Sequence, residues 1–421
     1  MLPKLIEIVP PKGKVDRTVV LPGSKSLTNR ALILAALAHG TVTLEGALWS
    51  EDTQAMVECL ERLGFAVTVA TDPAEPANRR LTVEGRGGII PRAGTPAAPL
   101  ELFVENAGTA ARFLTAFVCL GQGAFRLTGI PRMHQRPQAA LIGALRQLGY
   151  VIDSANDKLP AVVHGTGPRP GARCTVSVEE SSQFASALIL SQRIGGWDIA
   201  VTGANDDELP YVAMTRTLVD AFPWHGGTYQ IEPDASGASY FWGAHWLLRD
   251  GGGSVRVAAV PTSGMQADQH FLDLVVDRPW QAEFSRRTDL ADSIMTAIVL
   301  APFGERPTRF TDLGRLRVQE CERVAALRTE LQKCGARVEE IGDTLTIDPG
   351  PLHGGEIETY NDHRVAMCFA MLALSVPGMR LRDPACVRKT FPNFFVKLAE
   401  LGAEVRDGET GEMLGGERLL A

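Results

Sequence analysis

Apolar residues recur along the chain in one repeated order: a stretch with helical spacing, a short alternating strand, a second helical stretch that stops at glycine, and further short strands. The first copy predicts a helix over Ser26–Ala38, a strand over Thr41–Glu45, a helix over Asp52–Leu63 stopped by Gly64, and strands over Phe65–Ala70 and Arg80–Glu84. The second runs through Ala107–Leu120, Ala124–Thr128 and Arg136–Leu148, stops at Gly149, and continues in Tyr150–Asp153. A third begins at Ser182–Gln192 with its second helix near Val212–Ala221. The fourth reads Ala235–Leu248, Ser254–Ala258 and Met265–Val276. The fifth reads Ala291–Ala301, Arg306–Thr311 and Glu320–Cys334 with its stop at Gly335, and the sixth His363–Ser375, Met379–Arg382 and Asn393–Leu401 with its stop at Gly402.

Any α/β chain has helices that end in glycine, but here the same internal order returns six times. The expected fold class is α/β, built from repeated βαβαββ-type units. One core rarely serves more than about 250–300 residues, so six units over 421 residues suggest two domains of three units each. No Gly/Ser-rich or Pro-rich linker separates them, which leaves short extended crossings near Val20–Gly23 and Ile231–Asp234. The expected division is 1–22 with 234–421 as one discontinuous domain and 23–233 as the other.

Composition narrows the function. With 42 basic and 49 acidic side chains the formal net charge is −7, which argues against a nucleic-acid surface. Met1–Arg17 mixes apolar, charged and proline residues and lacks the continuous apolar core of a secretory signal. The longest apolar run, Val365–Leu374, is far shorter than the roughly 18 residues a membrane span needs. The seven cysteines, Cys59, Cys119, Cys174, Cys321, Cys334, Cys368 and Cys386, form no C-x-x-C pair. The eight histidines show no metal-ligand spacing. A soluble, cytoplasmic protein with no metal site is expected.

Candidate chemistry sits where helices start. Leu21-Pro22-Gly23-Ser24-Lys25-Ser26-Leu27-Thr28-Asn29-Arg30 resembles a nucleotide P-loop but lacks its spacing. It offers free backbone N–H groups beside Lys25, Ser26 and Arg30, which suits an anion. A Pro-Gly turn with a serine cap and solvated charges is the plainer alternative. The construction returns at Asn106-Ala107-Gly108-Thr109-Ala110-Ala111-Arg112, at Ser181-Ser182-Gln183 and at Tyr360-Asn361-Asp362-His363-Arg364. Arg132 and Arg136, in a proline-bounded loop, and Arg388-Lys389 add cations. An acidic chain that concentrates Lys and Arg at turns and helix starts looks built for small polyanions. Asp292 and Glu320, read as opening the two helices of the fifth unit, are either dipole-matching carboxylates or proton-transfer groups.

In family order, these motifs resemble the 5-enolpyruvylshikimate-3-phosphate (EPSP) synthase family, the 3-phosphoshikimate 1-carboxyvinyltransferases. The resemblance extends from Leu21-Pro22-Gly23-Ser24-Lys25-Ser26 to Lys389-Thr390-Phe391-Pro392 and includes Pro131-Arg132-Met133. It implies the two-domain enolpyruvyl transferase fold, hinged around a cleft. The implied reaction transfers the enolpyruvyl group of phosphoenolpyruvate to the 5-hydroxyl of shikimate 3-phosphate, with release of phosphate and no metal or organic cofactor. Lys25, Ser26 and Arg30 would meet the shikimate moiety, with Lys25 also near phosphoenolpyruvate. Ser181 and Ser182 would hold the 3-phosphate, and Gln183 would lie along the ring. Arg132, Arg323, Arg364 and Lys389 would surround phosphoenolpyruvate, with the backbone at Gly108 as one wall. Asn106, Thr109, Tyr211, Gln319 and His363 complete the implied substrate contacts. Glu320 would handle the methyl proton, and Asp292 would accept the hydroxyl proton or orient that group.

Three positions depart from the family pattern. Gln319 stands where Lys is usual, Asn is often found near Arg315, and Glu208, in Asp206-Asp207-Glu208, falls where a phosphate-contacting Ser is common. The sister transferase acting on UDP-N-acetylglucosamine usually carries a reactive Cys in a mobile loop. The Arg132–Pro137 loop has none, and Cys119 lies in an apolar helix. A non-catalytic metabolite binder would need the cations but not Asp292 and Glu320. A monomer acting on two small molecules, without nucleic-acid or membrane partners, is expected.

Overall fold

A computed structural model describes residues 2–203 and 209–421. The chain divides into two compact units, Met1–Pro22 with Pro233–Ala421, and Gly23–Glu232. Each contains two four-stranded sheets and one two-stranded sheet among the described residues.

The repeat is visible in the strand pairing. In the unit Gly23–Glu232, one sheet runs Leu100–Phe103, Gln122–Thr128, Ala161–Thr166, Val151–Asp153, with a parallel pair followed by two antiparallel pairs. The sheet Glu283–Ser285, Thr308–Thr311, Thr344–Asp348, Arg337–Ile341 in the other unit repeats that pattern. Parallel neighbours need a crossover, and in these two sheets the helices Gly108–Phe117 and Ile294–Leu300 supply it. The antiparallel strands follow the second helix, which gives the βαβαββ order.

Three strands come from far along the chain. Gly227–Gln230 pairs in parallel with His39–Leu48 and supplies the strand missing before the first helix. Leu5–Val9 inserts between Met379–Arg382 and Glu404–Asp407, antiparallel to both, and completes the sixth repeat. Asp16–Val19 pairs in parallel with Ser254–Val257 in the fourth.

First and second helices differ in their surroundings. Every residue from Leu27 to Leu37 is buried, and Gly108–Phe117 and Ile294–Leu300 are buried throughout. Helices apolar on all sides belong in a core. In the unit Gly23–Glu232 the helices Lys25–Leu37, Gly108–Phe117 and Ser182–Gly195 pack on one another. In the other unit Ala235–Leu248, Ile294–Leu300 and His363–Leu372 do the same. Second helices such as Glu51–Arg62 keep one charged, exposed face.

The glycine stops have one geometry. Gly64, Gly149, Gly335 and Gly402 have φ of 92°, 91°, 92° and 94°. In the first, Gly64 N donates to Glu61 O and Phe65 N to Leu60 O, which closes the helix end with a left-handed residue that only glycine adopts cheaply. The fourth repeat departs from expectation: Met265–Val276 is not one helix but a 3₁₀ turn, Ala267–Gln269, and a π turn, Leu272–Val276. There Gln266 and Asp268 turn inward to accept hydrogen bonds from Ala235 N and Ser293 N, so their side chains serve other segments. Among the described residues no helix is long and apolar enough to cross a membrane.

Candidate active site

In the unit Gly23–Glu232 most of the candidate residues lie at the starts of the three central helices, with Arg132 in Pro131–Gln135 and Tyr211 in Leu209–Ala221. The turn before Lys25 needs glycine, because a Cβ on Gly23 would lie 2.0 Å from Gly46 O. Lys25 Nζ is 3.1 Å from Asp52 Oδ2, a carboxylate brought in by the next helix. Arg30, 2 % exposed, donates from Nε to Thr215 Oγ1 (2.8 Å), from Nη1 to Ser26 O (3.0 Å) and from Nη2 to Ser186 Oγ (3.2 Å). Its guanidinium carbon is 5.1 Å from the centre of the Phe113 ring, a cation–π distance. Asn29 Nδ2 donates to Thr109 Oγ1 at 2.8 Å and ties the first helix start to the second.

Arginines crowd the start of the Gly108 helix. Arg112 donates to Gly108 O at 3.2 Å and Pro137 O at 2.7 Å, and Arg136 donates to Asn106 O at 3.0 Å. A Cβ on Gly108 would lie 2.8 Å from Arg136 Nη2 and 3.0 Å from Arg112 Nη1. Arg132 donates to Gln135 Oε1. Ser181 caps its helix by accepting from Gln183 N at 3.3 Å, and both Ser181 and Ser182 are buried. Tyr211 lies on Leu209–Ala221, the helix that brings Thr215 to Arg30. Glu208 lies outside the described residues.

In the other unit, arginines and carboxylates interlock. Arg323, 1 % exposed, donates from Nε to Asp362 Oδ2 (2.7 Å) and from Nη2 to Asp362 Oδ1 (3.2 Å) and Glu320 Oε2 (2.9 Å). Its Nη1 donates to Gln319 Oε1 and lies 4.0 Å from Asp292 Oδ2. Arg364 Nη2 is 3.5 Å from the same Asp292 oxygen, while Arg286 Nη2 donates to Asp292 Oδ1 at 2.9 Å. Burial by itself would push the Asp292 carboxyl up, but Arg364, Arg286 and Arg323 outweigh it and hold it well below the usual carboxylate range. Arg364 also donates to Ser236 Oγ, which donates to Asp268. Burial raises the Asp268 carboxyl, opposed chiefly by Arg364. His363 and Lys389 are buried in this unit, with His363 Nδ1 3.9 Å from Asp362 Oδ1.

Asp292 and Glu320 are not the helix openers that their sequence positions suggested. The helix after Asp292 begins at Ile294, and Asp292 lies in the preceding 3₁₀ turn, Ala291–Ser293. Ala291 has φ 45° and ψ −130°, a backbone conformation costing on the order of 1–3 kcal/mol for a residue with a side chain. The helix after Glu320 begins at Arg323, and Glu322 caps it by accepting from Ala325 N. The carboxylate that serves the helix end is therefore Glu322, which leaves Glu320 to Arg323. Gln319 has a local reason to be neutral, since a lysine there would set an ammonium beside the guanidinium it now accepts from.

Sequence reading missed Asp52, Asp268, Arg286 and Thr215. Asp52 stood only as the first residue of a predicted helix, and the others stand in stretches with no recurring motif. Asn29 and Arg112 lay inside quoted motifs and could have been chosen by their place one turn into the helix. Cys119 is buried and its thiol is pushed far up by burial, which removes it as a reactive nucleophile.

The model of the family described as EPSP synthase (3-phosphoshikimate 1-carboxyvinyltransferase) matches residues 9–225 and 286–398. A 3-phosphoshikimate 1-carboxyvinyltransferase of Nostoc punctiforme is 35% identical over 433 residues, covering 94% of this chain and 99% of the relative. One from Opitutus terrae is 39% identical over 435 residues, covering 95% and 98%. Among solved structures, EPSP synthase from Acinetobacter baumannii aligns with a TM-score of 0.73 at 20% identity, over 96% of this chain and 100% of that one. The enolpyruvyl transferase NikO from Streptomyces tendae aligns with a TM-score of 0.68 at 18% identity, over 96% and 98%. At such identities the structures speak to the fold alone.

Proposed function

The chain belongs to the EPSP synthase family, and on that footing we propose how its residues divide the work of the reaction. The enzyme transfers the enolpyruvyl group of phosphoenolpyruvate to the 5-hydroxyl of shikimate 3-phosphate and releases phosphate. The 5-oxygen forms a bond to the substituted vinyl carbon as its proton leaves, while the methylene carbon gains a proton and becomes a methyl group. Breaking the carbon–oxygen bond to phosphate and removing a methyl proton then restore the double bond.

In this proposal Lys25, Ser26, Arg30, Ser181, Ser182, Gln183 and Tyr211 hold shikimate 3-phosphate. Asn106, Gly108, Thr109, Arg132, Arg323, His363, Arg364 and Lys389 serve phosphoenolpyruvate and its leaving phosphate, and Gln319 serves the shikimate side. Arg323 acts as the hub that holds the carboxylates. Asp292 takes the hydroxyl proton and Glu320 exchanges the methyl proton. One observation carries the assignment: two carboxylates that do not cap their helices meet a single buried guanidinium, Glu320 at Arg323 Nη2 (2.9 Å) and Asp292 at Nη1 (4.0 Å). A binder that only neutralised anions would gain nothing from placing carboxylates there.

The test is phosphate release from phosphoenolpyruvate with shikimate 3-phosphate, with shikimate, and with neither. Release that depends on the phosphorylated acceptor is expected. Equal release with shikimate would overturn the assignment of Ser181 and Ser182 as the 3-phosphate site, and no release with either acceptor would overturn the catalytic assignment.

A further inference from the structure

We infer that Arg286 is a positioning residue for the transfer: it anchors one oxygen of Asp292 and thereby directs the other toward Arg323 and Arg364, where the acceptor proton is taken. This rests on the proposed role of Asp292 as the base. Arg286 belongs to none of the motifs that carried the family resemblance, yet it is 2 % exposed and donates from Nη2 to Asp292 Oδ1 at 2.9 Å. A guanidinium so deeply buried is stable only against an acceptor that offsets its desolvation, and an ionised carboxylate is the strongest one available.

The backbone that carries Arg286 is fixed from both sides. Ser285 Oγ accepts from Arg287 N and Thr288 N and donates to Asp312 Oδ2 at 2.6 Å, while Ser285 N donates to Asp289 Oδ2 at 2.8 Å. The π turn Arg286–Leu290 then ends at Ala291, whose positive φ sets the entry to Asp292. The two ends of the Arg286–Asp292 bond are therefore rooted in one short, internally bonded loop.

The two Asp292 oxygens face different neighbours. Oδ1 is taken by Arg286 at bonding distance, whereas Oδ2 is 3.5 Å from Arg364 and 4.0 Å from Arg323. The longer contacts leave lone pairs on Oδ2 to accept a proton, as a general base requires. When a substrate anion draws Arg364 toward itself, Arg286 still holds Oδ1. The hydroxyl O–H then breaks toward Oδ2, and the electron pair left on oxygen forms the new carbon–oxygen bond. The charged groups facing Asp292 are Arg286 on its own loop, Arg323, Arg364 and, from the Ala267–Gln269 turn, the carboxyl of Asp268.

The experiment measures kcat, both KM values and the kcat–pH profile of Arg286→Met, Arg286→Lys, Asp292→Asn and the double variant Arg286→Met/Asp292→Asn. Arg286→Met is expected to lower kcat roughly 10–100-fold, part of the roughly 10²–10⁴ that a positioned base supplies, with both KM values within about threefold of wild type. With one cation gone, its acid limb should move to higher pH, and Arg286→Lys should move it back. The double variant should be no slower than Asp292→Asn alone. Wild-type kcat and pH limb in Arg286→Met, or multiplicative losses in the double variant, would overturn the inference. If circular dichroism shows Arg286→Met unfolded, Arg286→Gln is judged by the same criteria. Wild-type turnover in Asp292→Asn would instead remove the base itself and with it the functional reading, whatever Arg286 does.

Discussion

The two units repeat one fold but differ in the groups that meet their buried arginines. Around the starts of the Lys25, Gly108 and Ser182 helices, Arg30 donates to two hydroxyls and a carbonyl and Arg112 to two carbonyls, while Lys25 lies 3.1 Å from the Asp52 carboxylate. Around the start of the His363 helix, Arg323 and Arg286 donate to Asp362, Glu320 and Asp292, and Arg364 lies against Asp292. A neutral acceptor satisfies a guanidinium without cancelling its field. Carboxylate partners cancel the charge and leave a fixed array that can pass protons. In the proposed division of work, acceptor binding falls mainly to Gly23–Glu232 and proton transfer to the other unit.

The sharpest way to break this contrast is to neutralise Glu320. Glu320→Gln keeps the shape and a hydrogen-bonding group, so turnover in a phosphate-release assay should fall roughly 10²–10⁴-fold. Turnover near wild type would return Glu320 to an ordinary structural carboxylate.

Removing the hub tests stability. Arg323→Met leaves Asp362, 0 % exposed, without its two guanidinium bonds, and should cost about 3–5 kcal/mol in chemical denaturation. A loss under about 1 kcal/mol would mean that the cluster is not a buried ionic network.

On the other side of the contrast, Gly108→Ala sets a methyl against the end of Arg136. Overpacking of about 1–3 kcal/mol, or roughly 5–150-fold, is expected in inhibition by glyphosate, the inhibitor associated with the family. Phosphoenolpyruvate, the shorter ligand, should lose less, and equal losses would place Gly108 away from that wall. The smallest effect concerns pH. Asp292 is held below its unfolded value, so its contribution to stability is full above about pH 4 and is lost as pH falls further. Wild type should therefore lose stability more steeply than Asp292→Asn between about pH 4 and 2, by up to about 1.4 kcal/mol per pH unit. Parallel slopes would contradict the depressed carboxyl.

Local signals were legible in the sequence and distant pairings were not. Gly64, Gly149, Gly335 and Gly402 announce helix ends because a left-handed residue leaves its mark at one position. The strands Leu5–Val9, Asp16–Val19 and Gly227–Gln230 belong to sheets whose partners are far along the chain, and no local pattern reveals that. The site divides the same way. Lys25, Arg30, Gly108, Ser181 and Arg364 stand at helix starts within recurring motifs, whereas Asp52 and Asp268 acquire meaning only from a charge supplied by another segment and Arg286 only from the way its own loop folds back Asp292. Glu320 stood in the sequence as a candidate, but its separation from the helix cap became clear only when Glu322 took that position.

Titration calorimetry of shikimate 3-phosphate into wild type, Glu320→Gln and Arg30→Gln measures the division of labour directly. The account predicts that Glu320→Gln binds within about threefold of wild type while Arg30→Gln, stripped of a buried charged donor, binds at least about tenfold more weakly, or roughly 1.4 kcal/mol. Equal losses in both variants, or the reverse order, would contradict it.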